Sequence, residues 1–152
     1  MDEHASEIVT EFVTATVGGQ LFGLPIGRVQ DVFVPARLTR VPLAPAEVAG
    51  VLNLRGRIVT VIDMRRRLGM PARSEPGELA VGIERNGGSY GLLVDAVGEV
   101  LRISDSIRSA NPVNLDSRLA GVSAGVYRLE GELLVVLDVD RILDFNIAAQ
   151  AA

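Results

Sequence analysis

Apolar and polar positions along this chain form short runs broken by glycine, the pattern of half-buried strands rather than of long amphipathic helices. Ile8 to Val17, rich in β-branched residues, stops at Gly18-Gly19 and is followed by the apolar run Gln20 to Ile26, which predicts a hairpin. Val48 to Leu54 and Arg57 to Ile62 flank Gly56. Leu79 to Arg85 and Ser89 to Val94 flank Asn86-Gly87-Gly88, a sequence suited to a turn of positive φ, and Val122 to Leu129 and Glu132 to Leu137 flank Glu130-Gly131. Helical signals are few and short: Asp63 precedes MRRRLG and Asp138 precedes VDRIL, each placing a carboxylate where it can cap a first turn.

The chain also repeats itself. FGLPIGRVQDVF (Phe22 to Phe33) aligns with YGLLVDAVGEVL (Tyr90 to Leu101), and GRIVTVIDMRRRL (Gly56 to Leu68) aligns with GELLVVLDVDRIL (Gly131 to Leu143). AGV at Ala49 to Val51 is matched to AGV at Ala120 to Val122. Three blocks in the same order predict an internal duplication, with a junction in the charged, turn-forming stretch Pro71 to Glu78. The expectation is one domain over residues 8–145, built from halves of about 8–70 and 79–145, each a small β-barrel ending in a helical turn, with flexible termini at 1–7 and 146–152. Ser104 to Ser117, with Asn111-Pro112, is the least periodic internal segment and reads as a loop.

Composition narrows what such a fold can do. With 152 residues and an apolar fraction of 48%, the chain suits one ordinary domain or two very small barrels sharing a core. All 15 basic residues are arginine and the formal net charge is −4, so a basic cluster sits on an acidic protein. The start, MDEHASE, lacks the basic flank and apolar centre of a secretory signal, and no apolar stretch approaches the roughly 20 residues needed to cross a bilayer. A cytoplasmic location without membrane insertion is expected, and the absence of cysteine removes disulfides and thiolate metal sites.

Much of enzymology is removed as well. The one histidine, His4, lies at the terminus, so no histidine triad or histidine metal cluster belongs to the folded body. Lacking lysine, the chain has no Walker A loop and no Schiff-base chemistry. Gly87-Gly88-Ser89-Tyr90-Gly91 fits the pattern G-x-S-x-G, but its context is strand to strand and no histidine follows. An acid–base pair of Asp63 and Asp138 would require both to face one cleft, whereas their matching places in the repeat favour helix capping. No catalytic residue, metal or cofactor is expected.

The arginines of NLRGRIVTVIDMRRRLG (Asn53 to Gly69) divide. Arg65, Arg66 and Arg67 fan out at successive helical positions and read as solvated surface or rim charge, because their counterpart Asp140-Arg141-Ile142 shares only the middle arginine. Arg55 precedes Gly56 at a strand end, where a tight turn projects the guanidinium outward for a planar contact with a carboxylate. Read from residues alone, pairing with an acid such as Asp31 and recognition of a partner stand equally.

Taken together, GLPIGRVQDVF, LTRVPLAPAEVAGVLNLRGRIVTVIDMRRRLG, YGLLVDAVGEVL and GVYRLEGELLVVLDVDRIL resemble the CheW-like domain, the adaptor module of bacterial chemotaxis arrays, over Phe12 to Leu143. The resemblance implies a mainly β fold of two five-stranded SH3-like barrels around a shared apolar core, with strands that can cross between halves. It implies a scaffold that binds the cytoplasmic helical hairpin tip of chemoreceptors and the regulatory domain of a CheA-type histidine kinase. The positions matching the family's receptor groove are Ile26, Val29, Asp31, Gly50, Asn53 and Arg55. An apolar floor with a charged rim suits an amphipathic helix, although Ile26 and Val29 read equally as plain core.

Two other readings remain. The same domain serves adaptors of non-flagellar motility or surface-sensing pathways. A nucleic-acid-binding SH3-like barrel would use the Arg55–Arg73 cluster, but four Phe and two Tyr supply no interleaved stacking platform and the net charge opposes it, so no nucleic acid is expected.

Overall fold

The computed structural model describes residues 8–72 and 79–145. His4, Arg73, both termini and most of the expected junction lie outside those residues. Ten strands form two five-stranded sheets. In chain order they are β1 (Val9–Val17), β2 (Gln20–Pro25), β3 (Val29–Phe33), β4 (Val48–Leu54), β5 (Arg57–Asp63), β6 (Leu79–Arg85), β7 (Gly88–Val94), β8 (Ala96–Ser104), β9 (Ser123–Leu129) and β10 (Glu132–Leu137). Among the described residues, three short helices, α1 (Met64–Arg67), α2 (Ser117–Val122) and α3 (Val139–Ile142), and 3-10 turns at Ile26–Arg28 and Asp105–Ile107 join them.

The hairpins follow from their turns. Asn86 (φ 51°) and Gly87 (φ 81°) take the left-handed region between β6 and β7, as do Arg55 (φ 53°) and Gly56 (φ 84°) between β4 and β5. Two central residues of positive φ give a turn whose twist matches that of the flanking strands. The G-x-S-x-G stretch therefore lies in a hairpin and the start of its second strand.

Neither sheet is made of one half of the chain. The first runs β8-β1-β2-β10-β9 and the second β3-β6-β7-β5-β4. Exchanging each strand for its repeat partner converts one order into the other, so the two sheets are related by a pseudo-two-fold operation. The registers repeat too. Parallel β2 and β10 pair Phe22 with Val135, and parallel β7 and β5 pair Tyr90 with Thr60, the aligned residues of the two copies.

One detail of the repeat is corrected by the register. Ala120-Gly121-Val122 belongs to α2, not to a strand equivalent to β4. The true partner of Ala49-Gly50-Val51 is Ala124-Gly125-Val126, since Gly50 and Gly125 hold matching places in the bulged pairs β4/β5 and β9/β10. Gly50 (φ 155°) and Gly125 (φ 129°) share a cause: an added Cβ would stand 2.7 Å from the Thr39 carbonyl oxygen or 3.1 Å from that of Ser109. Those carbonyls belong to isolated bridges, Thr39 with Val51 and Ser109 with Val126, that join the chain after β3 to β4 and after β8 to β9.

The largest core cluster draws on both sheets, with Phe22, Leu24, Val126 and Val135 from the first and Ile62, Ile83, Leu92 and Val94 from the second. Each sheet adds a smaller cluster of its own, around Phe12, Tyr127 and Leu134 in one and Phe33, Leu52 and Val59 in the other. Each fully buried side chain of this size contributes about 1.5–3 kcal/mol. The shared cluster therefore couples the two sheets into one folding unit.

Candidate docking surface and the seams beside it

The turn between β4 and β5 places Arg55 outward, with 76% of its side chain exposed. Asn53 builds the turn, its Oδ1 accepting from the Gly56 amide at 2.9 Å. Arg55 Nη1 lies 3.4 Å from Asp31 Oδ2 on β3, a loose exposed pair worth about 0–1 kcal/mol. The pair borders a cavity of about 150 Å³ lined also by Phe33, Val59, Ser89 and Tyr90. The anticipated acid partner is thus in place, yet most of the guanidinium surface stays open to another carboxylate.

The other expected positions separate. Ile26 opens the 3-10 turn with 42% of its surface exposed, whereas Val29 packs partly buried against the shared core. Gly50 is buried and presents only backbone, so its part is to let the Thr39 strand approach. Asn53 lines a wider apolar hollow of about 580 Å³ with Val34, Val51 and Ile58. Asp31 and Arg55 are the two expected residues joined by a direct contact; Ile26 opens the 3-10 turn before β3 and Val29 is the first residue of β3.

The arginine run requires a correction. Arg65 and Arg67 are not solvated surface. Arg65 donates through Nε and Nη2 to both oxygens of Asp95 at 3.0 and 2.7 Å, and through Nη1 to the Pro71 carbonyl at 2.8 Å. The Asp95 carboxylate raises the Arg65 pKa through these hydrogen bonds, against an opposing effect of burial. Arg67 donates to the carbonyls of Ile142 and Arg141 at 2.8 and 2.9 Å and lies 5.2 Å from the Phe145 ring centre, closing the end of α3. Only Arg66, the arginine shared by both copies, points to solvent. The outer two were misread because their partners are remote in sequence.

The arginines from Arg55 to Arg67 have acidic or carbonyl partners of their own. Arg55, Arg57, Arg65 and Arg66 face Asp31, Glu84, Asp95 and Asp63, and Arg67 faces carbonyls. Asp63 accepts from the amides of Arg65 and Arg66, and Asp138 accepts from that of Arg141, so each caps its own helix as the repeat predicts.

Two seams run between the sheets, related by the pseudo-two-fold. At one, α1 offers Arg65 to Asp95, which leads into β8, and Asp95 Oδ2 also accepts from the Gly18 amide in the β1–β2 turn at 2.8 Å. At the other, α3 carries Asp140 in the place of Arg65, and the cations are Arg28 in the 3-10 turn (3.2 Å) and Arg85 at the end of β6 (3.7 Å). The charges are reversed between the two. Sequence reasoning missed Asp95, Arg28 and Arg85; the available signal was the alignment of Arg65 with Asp140.

Duplicated sheets, capped helical turns and an outward arginine beside an apolar groove define a β scaffold for protein contacts. The CheW-like domain profile matches residues 11–146. The chain belongs to the CheW-like domain family, a family of non-catalytic chemotaxis scaffolds. It is similar to a chemotaxis protein CheW of Rhizobium meliloti (strain 1021), 33% identical over 142 residues covering 92% of this chain and 91% of that one. A Klebsiella aerogenes chemotaxis protein CheW is 32% identical, with 88% and 81% covered. The crystal structure of scaffolding protein TtCheW from Thermoanaerobacter tengcongensis superposes with a TM-score of 0.80 at 26% identity, covering 91% of this chain and 95% of that one.

Proposed function

We propose that this protein couples the cytoplasmic helical tip of chemoreceptors to the regulatory domain of a CheA-type histidine kinase. Ile26, Val29, Asp31, Asn53 and Arg55 form the receptor face, and Gly50 shapes the strand behind it. The observation that carries the reading is the pairing of an exposed apolar residue, Ile26, in the 3-10 turn that leads into β3, with a largely open guanidinium, Arg55, in the turn that follows β4, β3 and β4 being the two edge strands of one sheet. An amphipathic helix gains burial from the first and register from the second. Among the described residues no helix is long and apolar enough to cross a membrane. On this reading the adaptor is cytoplasmic and is held at receptor arrays by its partners.

Each five-stranded sheet is further read as an SH3-like barrel. Support comes from its private apolar cluster and from the isolated bridge that ties the chain after one edge strand to the other edge strand. The domain spans 8–145, its halves of about 8–70 and 79–145 derived from one ancestral unit.

Reconstitution tests the coupling. Receptor signalling fragment and kinase are combined with and without this protein, and kinase autophosphorylation is followed. Dependence on the protein is expected; equal output without it sinks the assignment.

A further inference from the structure

We propose that Arg65 and Asp95 form a fixed latch that shuts one of the two pseudo-symmetric seams, leaving the seam at Arg28 and Asp140 as the side on which a partner helix docks. The proposal rests on the receptor-face reading above and identifies the residues that position that face.

The two seams occupy the same place in the duplicated fold, so their differences are not differences of architecture. At the latch, a planar guanidinium meets both oxygens of one carboxylate, and the two side chains are only 22% and 18% exposed. The Gly18 amide and the Pro71 carbonyl hold the two ends of the same pair. A bidentate, sheltered pair fixes direction as well as distance. At the opposite seam, Asp140 is met by Arg28 through one contact of 3.2 Å and by Arg85 at 3.7 Å, with Arg85 also donating to the Asp140 carbonyl at 3.3 Å; neither arginine makes a bidentate contact with the carboxylate, and the Arg28 and Asp140 side chains are 37% and 59% exposed. Such contacts are screened by salt and exchange readily with water.

The consequence is read at one pair of aligned residues. Val94, beside Asp95, is 3% exposed, whereas Ile26, its counterpart beside Arg28, is 42% exposed. Of these two aligned residues, Ile26 offers a helix between the sheets an apolar contact and Val94 does not. With two cations and one carboxylate there, Arg28 and Arg85 against Asp140, the open seam favours an acidic residue on the incoming helix. Arg65 touches no partner in this scheme; it is a positioning residue.

The chain has no cysteine, so spin labels at Glu11→Cys on the first sheet and Ile58→Cys on the second report the inter-sheet distance. One narrow distance distribution is expected for the parent, and a clearly broader one for Arg65→Ala at an unchanged circular dichroism spectrum. Arg65→Asp combined with Asp95→Arg restores the pair with the polarity found at Asp140, and recovers part of the narrowing. Should Arg65→Ala not fold, Arg65→Lys, which keeps charge but loses the fork, carries the same expectation in smaller measure. Receptor-fragment affinity falls about tenfold with Arg65→Ala and is unchanged with Arg66→Ala on the same turn. An unchanged distribution in a folded Arg65 variant overturns the latch, and a broadened one with unchanged affinity overturns its positioning role. Failure of the unsubstituted protein to bind the receptor fragment would instead remove the receptor-face reading.

Discussion

The Arg65 seam and the Asp140 seam are two versions of one structure. Both join the helical turn after β5 or β10 to the crossover leading into the other sheet, and both are bridged by arginine–aspartate ion pairs. One is a bidentate, sheltered pair; at the other, two arginines share one exposed carboxylate without a bidentate contact. Duplication supplies two equivalent places where a helix could lie between the sheets, while an adaptor that must orient one receptor needs only one. Divergence at a few side chains is enough to make the choice, because the backbone registers stay matched.

Substitutions at aligned positions separate this account from one in which both seams are merely structural. The largest contrast is Val94→Asp against Ile26→Asp. A carboxylate at Val94 is buried without a partner and lowers stability by about 3–4 kcal/mol, enough to unfold much of the protein in a denaturant titration. The same change at Ile26 leaves the unfolding midpoint within about 0.5 kcal/mol of the parent and removes receptor-fragment binding. Equal destabilisation at both positions contradicts the asymmetry.

Gly50→Ala and Gly125→Ala come next. Each adds a Cβ against a carbonyl oxygen at a positive φ, and a loss of about 1–3 kcal/mol is expected for both, with the tighter Gly50 contact costing more. A similar cost in the two copies marks this feature as common architecture, unlike the seams. Loss of binding by Gly50→Ala without loss of stability would restore it to the contact surface.

The smallest effect on stability is expected at Arg55→Asn. Asparagine tolerates the left-handed conformation of that turn, and the lost pair with Asp31 is exposed, so the unfolding midpoint changes by no more than about 0.5 kcal/mol. Receptor-fragment affinity nonetheless drops about tenfold, a loss near 1.4 kcal/mol of binding energy. Wild-type affinity in this variant would take Arg55 out of the docking face.

How much of this was legible in the sequence depends on the range of the forces involved. Hairpins were readable because their turns are local: Gly18-Gly19, Arg55-Gly56 and Asn86-Gly87 announce themselves by what their φ angles require. β4, β6 and β10 have the limits that the apolar runs predict. Helix α2 was missed although Asp116, whose carboxylate accepts from the Arg118 amide at 2.8 Å, was available as its cap. The sheets themselves could not be assembled from pattern, since the parallel pairings of β2 with β10 and β5 with β7 join distant segments through the shared core.

The same distinction governs the candidate site. The Arg55 turn and its neighbour Asp31 could be anticipated, because a strand end before glycine projects its side chain whatever the rest of the chain does. Arg65 and Arg67 could not, since a run of three arginines looks like solvated surface until Asp95 and the end of α3 are brought beside it. Local chemistry made the exposed Arg55 turn legible; tertiary contacts decided that Arg65 and Arg67 are tied down.

Amide hydrogen exchange, with and without a receptor signalling fragment, tests the choice of seam most directly. Binding on the open side slows exchange in Ile26–Asp31 and in the Arg55 turn, while the segment from Val94 to Val97 keeps the rate it has in the free protein. Protection at Val94 to Val97 with no change around Ile26 would contradict the account.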